Sequence, residues 1–440
     1  MTSPDLTRQF VAWFRQAAPY IHAFGGRTFV IGFGGEVAVG ALAQALAQDC
    51  NLLAALGIRL VLVHGARPQI ETELHRRDLK ARYHKGLRVT DAAALECVKA
   101  AMGVTRLELE ALLSQGLPNT PMAGAYMRVT GGNFITAKPV GVVDGVDYQY
   151  TGAVRKVMAQ EINADLDQEN VVLISPLGVS PSGEIFNLSM EEVAEAVAIA
   201  VQAEKLIFLC DAPGVTDAKG ALVEELTADE AEQVLKKPKR LTEDLGLYLP
   251  GCVRACHAGV KRAHLIDRDV DGGLLLELFT RSGVGTVITR DALISVREAT
   301  PDDVGAIIGI IGPLEADGTL VRRGRELLEM EVARFSVLEH DGMVLGCAAL
   351  YPFNKDKLAE LACLAISPEY RRAGYGEALI SHMEARARKA GFKQLFVLTT
   401  RTAHWFIERG FKESGPEALP VEKRELYNWQ RRSKVLVKPL

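Results

Sequence analysis

Residues 361–376 read LACLAISPEYRRAGYG. The apolar run at its start suits a buried strand, Ser367-Pro368 ends that run, and Ala378, Leu379, Met383 and Ala387 then recur at helical spacing. Between strand and helix lies Arg371-Arg372-Ala373-Gly374-Tyr375-Gly376, an R-x-x-G-x-G loop. Closely spaced glycines at a helix start let successive N–H groups converge on a pyrophosphate, with help from the helix dipole. The arginine pair adds charge-assisted contacts. Six residues of this kind are weak evidence alone, since many helices begin at a glycine. Their surroundings add weight. FKQLFVLTT (392–400) reads as the next strand, and AHWFIERGF (403–411) as a short helix that breaks at Gly410. Upstream, ISVREATPDDVGAIIGII (294–311) reads as strand, turn and helix, and apolar runs follow at 343–350 and 358–367.

Before residue 290 the chain alternates β-type apolar runs with helical patterns. TFVIGF (28–33) precedes a helical 36–56, IRLVLVHG (58–65) a helical 68–78, and NVVLISP (170–176) a helical 190–203 followed by EKLIFLCD (204–211). Alternation of this kind predicts parallel pairing in an α/β sheet. Residues 5–18 show apolar positions at helical spacing that stop at Pro19. The expected division is an N-terminal helix at 1–19, an α/β domain at 20–290, a linker at 291–295 and a second α/β domain at 296–440.

Composition narrows the functional classes. The 440 residues are 48% hydrophobic and 24% charged, enough for sizeable cores. A net charge of −4 argues against a nucleic-acid protein. The basic tail KRELYNWQRRSKVLVK interleaves Tyr427 and Trp429, which keeps an RNA-binding alternative open, but an extended basic surface is missing around it. No secretory signal or spanning apolar stretch is visible, and seven scattered cysteines suit a reducing compartment, so a cytoplasmic protein is expected. Cys252, Cys256 and His257 lack a second ligand pair at zinc-finger spacing and read as buried thiols on a helix, with no metal.

The succession in the second domain resembles the Gcn5-related N-acetyltransferase (GNAT) family. In that family the R-x-x-G-x-G/A loop holds the pyrophosphate of acetyl-CoA, and the pantetheine arm sits where two parallel strands part, here about 361–367 and 394–400. Residues 20–290 resemble the amino-acid kinase fold, most closely acetylglutamate kinase. The matching segments are FVIGFGGE (29–36), VHGARPQI (63–70), GLRVTD (86–91), GGNF (131–134) and AEKLIFLCDAPGV (203–215). Three departures stand out: neutral Ile31-Gly32-Phe33 replaces the lysine-bearing turn, Gly65-Ala66-Arg67 replaces a glycine run, and Asn187-Leu188-Ser189 replaces an Asn-Ala-Asp. Phosphoryl transfer depends on cations and backbone donors around the moving phosphate, so losing all three argues that kinase chemistry is gone. Together, and in this order, the two resemblances point to the bacterial two-domain N-acetylglutamate synthases, also through LVRR (320–323), ALYPF (349–353) and YNWQRRSKVL (427–436).

That resemblance implies acetyl transfer from acetyl-CoA to L-glutamate with feedback inhibition by L-arginine, no permanently bound cofactor, and a homo-oligomer, expected as a hexamer. A bifunctional synthase–kinase is the alternative. An attacking α-amine must be unprotonated, and Glu360 matches the family's water-mediated base, although a strand-end glutamate is often merely solvated. Thr399 is placed to hydrogen-bond substrate. Tyr427 is a candidate proton donor to the thiolate, an ordinary strand tyrosine being the plainer reading. Acetyl-CoA is expected along Cys363, Ala365 and Arg371, Arg372, Ala373, Gly374, Tyr375, Gly376. Two substrate carboxylates call for cations, for which Arg322, Arg323, Lys423, Arg424, Arg431 and Arg432 with Ser433 are candidates. By family position the inhibitor falls to Tyr20, Lys205, His264, Glu277 and Gly285, beside the N-terminal helix whose Phe10, Val11 and Phe14 form an apolar stripe.

Overall fold

A computed structural model describes residues 4–115, 127–237, 241–370, 374–425 and 433–440. The chain separates into two compact units, Met1–Asp291 and Ala292–Leu440.

In the first unit, α1 (Pro4–Phe24) leads into β1 (Thr28–Phe33), α2 (Gly40–Ala55), β2 (Arg59–His64), α3 (Arg67–Arg76) and α4 (Ala92–Leu113). Then follow β3 (Val129–Thr130), α5 (Ala159–Asp167), β4 (Val171–Ile174), α6 (Met190–Ala200), β5 (Lys205–Cys210), β6 (Glu225–Thr227), α7 (Ala228–Leu235), α8 (Glu243–His257), β7 (Arg262–Asp267), α9 (Gly273–Phe279) and β8 (Thr286–Thr289). The eight strands run in the order β6-β8-β7-β5-β1-β2-β4-β3. Every pair is parallel except β7 with β8. TFVIGF and KLIFLC are buried at every position, as strands covered by helices on both faces must be. One face buries Val61, Val172, Leu206 and Phe208 against α6 and α8; the other buries Phe29, Ile31, Leu60 and Leu62 with Phe24 and Leu278. A smaller sheet orders Ile185–Asn187, Leu177–Val179, Ile135–Pro139 and Gly152–Val157.

Two sequence expectations shift here. α1 continues through Pro19 to Phe24. Proline there removes one helix hydrogen bond, but Tyr20, Ile21 and Phe24 beyond it pack on the core, with the Phe24 ring 5.3 Å from Phe29 and 6.0 Å from Phe279. Tertiary burial outweighs the lost bond. The helix expected from residue 36 starts at Gly40, after a turn through Gly34–Ala38. Cys252 and Cys256 are buried on α8, and His257 pairs with Glu232 at 3.3 Å. Among the described residues no cluster could hold a metal ion, and no helix is long and apolar enough to cross a membrane.

The second unit holds β9 (Ile294–Glu298), α10 (Val304–Ala316), α11 (Arg325–Glu331), β10 (Phe335–His340), β11 (Met343–Phe353) and β12 (Leu358–Ile366). These lead to α12 (Tyr375–Lys389), β13 (Gln394–Thr399), α13 (Ala403–Ile407), β14 (Lys412–Ser414), α14 (Val421–Glu425) and β15 (Lys434–Pro439). Its sheet runs β9-β10-β11-β12-β13-β15-β14, antiparallel except where β12 meets β13. β10 was not singled out in the sequence, because FSVLEH is short and its burial comes from α10 on one face and α12 on the other.

Candidate active site

β12 and β13 pair through Leu358–Gln394, Ala359–Leu395 and Glu360–Phe396, and the ladder stops there. Both strands continue, β12 to Ile366 and β13 to Thr399, so they part just beyond Glu360. A second irregularity lies on the other edge of β12, where the register against β11 slips between Cys347 and Ala349. Cys363 takes a left-handed φ of 51° at that slip. Such a bulge turns backbone groups out of the ladder, which makes them available to a ligand in the gap. Ala365 is buried two residues on and returns to register with Cys347.

Glu360 is 7% exposed, and its Oε2 accepts from Lys423 Nζ at 2.7 Å. That cation comes from α14, far along the chain. Arg323 is half-buried: its backbone N–H donates to Glu315, its Nη1 to the Val321 carbonyl at 2.9 Å, and its guanidinium lies 5.8 Å from the Tyr351 ring centre. Burial works against its charge, yet the nearby Cys363, Tyr351 and Glu360 hold its pKa above the usual arginine value. The Tyr351 hydroxyl donates to Glu331 at 2.8 Å. Tyr351 sits opposite Glu360 in the β11–β12 register, and alternation along a strand hides such a partner from sequence reading. Burial pushes the Cys363 thiol up to about 11 and the Cys347 thiol upward as well, which leaves both protonated and poorly nucleophilic.

The loop before α12 is described from Gly374. Gly374 holds a left-handed φ of 74° at the N-cap of α12, and no side chain caps that helix. A Cβ on Gly376 would stand 3.0 Å from the Trp405 ring, so a side chain there would press on α13 and require the ring to give way. The Tyr375 ring stacks 6.3 Å from Tyr370. Thr399 ends β13, with its hydroxyl 3.0 Å from Thr402 and accepting from the Thr402 N–H at 3.1 Å. Arg322 is exposed, Ser433 is half-buried before β15, and Arg424 donates to the carbonyls of Glu417 and Leu419 at 2.8 and 3.1 Å. Arg424 thus secures its own loop, and Lys423 is the cation that α14 brings to Glu360. Arg371, Arg372, Ala373, Tyr427, Arg431 and Arg432 lie outside the described residues.

Four of the residues assigned to the inhibitor meet in the first unit. Lys205 Nζ is 3.1 Å from His264 Nε2, and His264 Nδ1 is 2.7 Å from Glu277 Oε1. Glu277 Oε2 accepts from the N–H groups of Val284 and Gly285 at 2.7 and 2.9 Å. A Cβ on Gly285 would stand 2.2 Å from the Leu265 carbonyl oxygen, which only glycine avoids. Burial, then the Lys205 charge, lowers His264 to about 4, so its imidazole is neutral near pH 7. Burial disfavours the Glu277 carboxylate, but the hydrogen bonds from His264, Val284 and Gly285 prevail and hold it at about 2. Tyr20 joins through Phe24: their rings are 6.1 Å apart, and Lys205 Nζ lies 5.0 Å from the Phe24 ring.

Residues 27–267 match the amino acid kinase family and residues 315–411 the acetyltransferase (GNAT) family. An amino-acid acetyltransferase of Ralstonia nicotianae is 54% identical over 98% of this chain and 96% of its own length, and one of Azotobacter vinelandii is 50% identical over 98% and 100%. The chain belongs to the amino-acid acetyltransferase family. An N-acetylglutamate synthase of Neisseria gonorrhoeae, solved with coenzyme A and L-arginine, superposes with a TM-score of 0.89 at 40% identity, covering 98% of this chain and 99% of that one. The same gonococcal enzyme solved with coenzyme A and N-acetyl-glutamate gives a TM-score of 0.63. As a family member the chain is a GNAT acyltransferase that uses coenzyme A thioester as co-substrate. Its first unit keeps the amino-acid kinase fold.

Proposed function

We propose that the chain joins acetyl-CoA and L-glutamate into N-acetyl-L-glutamate and CoA, as the first step of arginine biosynthesis, and that L-arginine inhibits it. The parting of β12 from β13 just beyond Glu360, within the electrostatic reach of Arg323, carries this reading. Glu360, directly or through a water, takes a proton from the substrate ammonium. The freed amine attacks the thioester carbonyl carbon, and the oxyanion meets backbone N–H groups around Cys363. The C–S bond then breaks, the acetyl group stays on nitrogen, which gives up its second proton to solvent, and the thiolate takes up a proton, for which Tyr427 is the candidate donor. The protonated Cys363 and Cys347 favour this direct attack over an acetyl-cysteine intermediate.

Arg323, with Arg322 and the arginines at 431 and 432 beside Ser433, takes the two carboxylates, and Thr399 orients the substrate. The loop at 371–376 takes the pyrophosphate. A thiol-release assay over a panel of amino acids, with and without L-arginine, tests the whole reading. Release that requires L-glutamate and falls with L-arginine is expected; release with no amino-acid requirement would overturn it.

The Lys205–His264–Glu277–Gly285 cluster is assigned to L-arginine. Glu277→Gln keeps acceptors for its N–H partners but loses the charge, costing about 1–2 kcal/mol of stability. A Tm lower by a few degrees and loss of arginine inhibition, with uninhibited turnover retained, are the expected measurements. We further propose a cytoplasmic homo-oligomer, a hexamer. Leu6, Phe10 and Phe14 are 57%, 61% and 53% exposed on α1, an apolar stripe that the described residues leave uncovered.

Kinase chemistry is not part of this reading. His64 is fully buried, its Nδ1 donates to the Gly65 carbonyl, its Nε2 accepts from the Ser175 hydroxyl, and burial lowers it to about 4, so it anchors the second turn as a neutral group. Incubation with ATP, Mg²⁺ and N-acetyl-L-glutamate should yield no ADP above a protein-free control.

A further inference from the structure

Arg323 reaches the acetyl-transfer gap from a loop, residues 317–323, that leaves the C-terminus of α10. A loop places a side chain less strictly than a helix or strand, so the contacts that hold this one decide where the guanidinium stands. Several of them run back to α10. Gly318 turns the chain with a left-handed φ of 74°, and its N–H donates to the Glu315 carbonyl at 3.2 Å. The Leu320 N–H donates to the Leu314 carbonyl at 2.8 Å, and the Arg323 N–H to Glu315 Oε1 at 3.0 Å.

Another contact comes from the opposite side. Arg401 Nη1 donates to Asp317 Oδ2 at 2.9 Å across 84 positions of sequence. Asp317 is the C-cap of α10, and its Oδ1 accepts from the Thr319 N–H at 2.9 Å. Hydrogen bonding by Thr319, with help from the Arg401 charge, holds the Asp317 carboxyl below the usual carboxylate range, so it is ionised at neutral pH. Arg401 follows β13, where the Thr399 hydroxyl accepts from the N–H groups of Arg401 and Thr402 at 3.3 and 3.1 Å and fixes the turn between them. α10 packs on β11 and β12, with Ile307 and Ile311 in one cluster with Cys347 and Cys363. Arg401 belongs to β13, beyond the point where β12 and β13 part. The ion pair therefore joins the two sides of the gap.

Stability does not account for it. The Arg401 and Asp317 side chains are 61% and 43% exposed, and a pair so open to water contributes little to folding. Position does account for it. α10 has no basic residue in its own last turn, so a cation at its negative end is supplied from the far strand, next to the loop that carries Arg323.

We propose that Asp317 and Arg401 are positioning residues for the acceptor amino acid: their ion pair clasps the Arg323 loop to the far strand of the gap and holds the guanidinium where the substrate carboxylate arrives. Neither touches substrate. The inference rests on the acetyl-transfer reading above, in which Arg323 takes that carboxylate.

The test is steady-state kinetics with thermal melts on the full chain, using as acceptor whichever amino acid supports thiol release. The proteins are the wild type, Asp317→Asn, Arg401→Gln, Arg401→Lys and the double variant Asp317→Asn with Arg401→Gln. Asparagine keeps an acceptor for the Thr319 N–H, so only the pair is lost. The acceptor KM should rise ~2–5-fold in each neutralised variant, with kcat, the KM for acetyl-CoA and Tm unchanged. Arg401→Lys keeps the charge and should restore most of the affinity. The double variant should be no worse than either single one, because both remove the same contact. In about 1 M salt, where charges are screened beyond about 3 Å, the variants and the wild type should converge. An unchanged acceptor KM, an equal rise in both KM values, or additive losses in the double variant would overturn the proposal. A fall in Tm without a change in acceptor KM would mark the pair as purely structural and overturn it too. An acceptor other than L-glutamate would overturn the glutamate assignment and leave this test in force.

Discussion

Glu360→Gln is expected to lower kcat by about 10²–10⁴-fold, the usual range for losing a general base. The carboxamide keeps the size of Glu360 and its place opposite Tyr351, but it cannot take the ammonium proton. KM for both substrates should change little. Raising the pH deprotonates the substrate amine without help, so the deficit should narrow in alkaline buffer. A structural role predicts a different pattern, because Glu360 is buried and ion-paired with Lys423 at 2.7 Å. Loss of that pair alone would lower Tm and leave a deficit independent of pH. Rate–pH profiles of the two proteins, measured with thermal melts, therefore separate the roles. A flat ratio across pH would remove Glu360 as the base.

Arg323→Ala should raise the KM for L-glutamate by roughly 10–150-fold, the factor that about 1.5–3 kcal/mol for a charge-assisted contact gives. The KM for acetyl-CoA should stay within a few-fold. Arg323 is fixed before substrate arrives, through Glu315, the Val321 carbonyl and the Tyr351 ring, so little ordering is lost on binding. Arg323→Lys should fall between, since an ammonium keeps the charge without the planar fork. A larger rise in KM for acetyl-CoA than for glutamate would place Arg323 at the wrong substrate.

The two phosphate-type turns of this chain have diverged. At 61–70, VLVHGARPQI, the strand and the buried His64 preserve the kinase framework, while Arg67 pairs with Glu243. At Gly374 the α12 N-terminus is uncapped and opens from a left-handed glycine. The first is a framework feature; the second suits an anion.

Local chemistry made much of this readable in one dimension. Uniformly apolar runs such as TFVIGF and KLIFLC mark strands buried on both faces, and the order of strands and helices separates two α/β units near residue 291. The glycines at 374 and 376 and the carboxyl at 360 stand out in the sequence because their residue types suit an anion loop and proton transfer, the roles proposed for them. Contacts across long separations were not legible. Pro19 reads as a helix stop, yet burial of Tyr20 and Phe24 carries α1 past it. Lys423 reads as one of several tail cations, and only the packing of α14 sets it on Glu360. The Lys205–His264–Glu277 chain joins residues on β5, β7 and α9. Residue type and spacing determine which elements form. Which charges meet, and which are left facing open space, depends on side chains brought together by burial from distant parts of the chain.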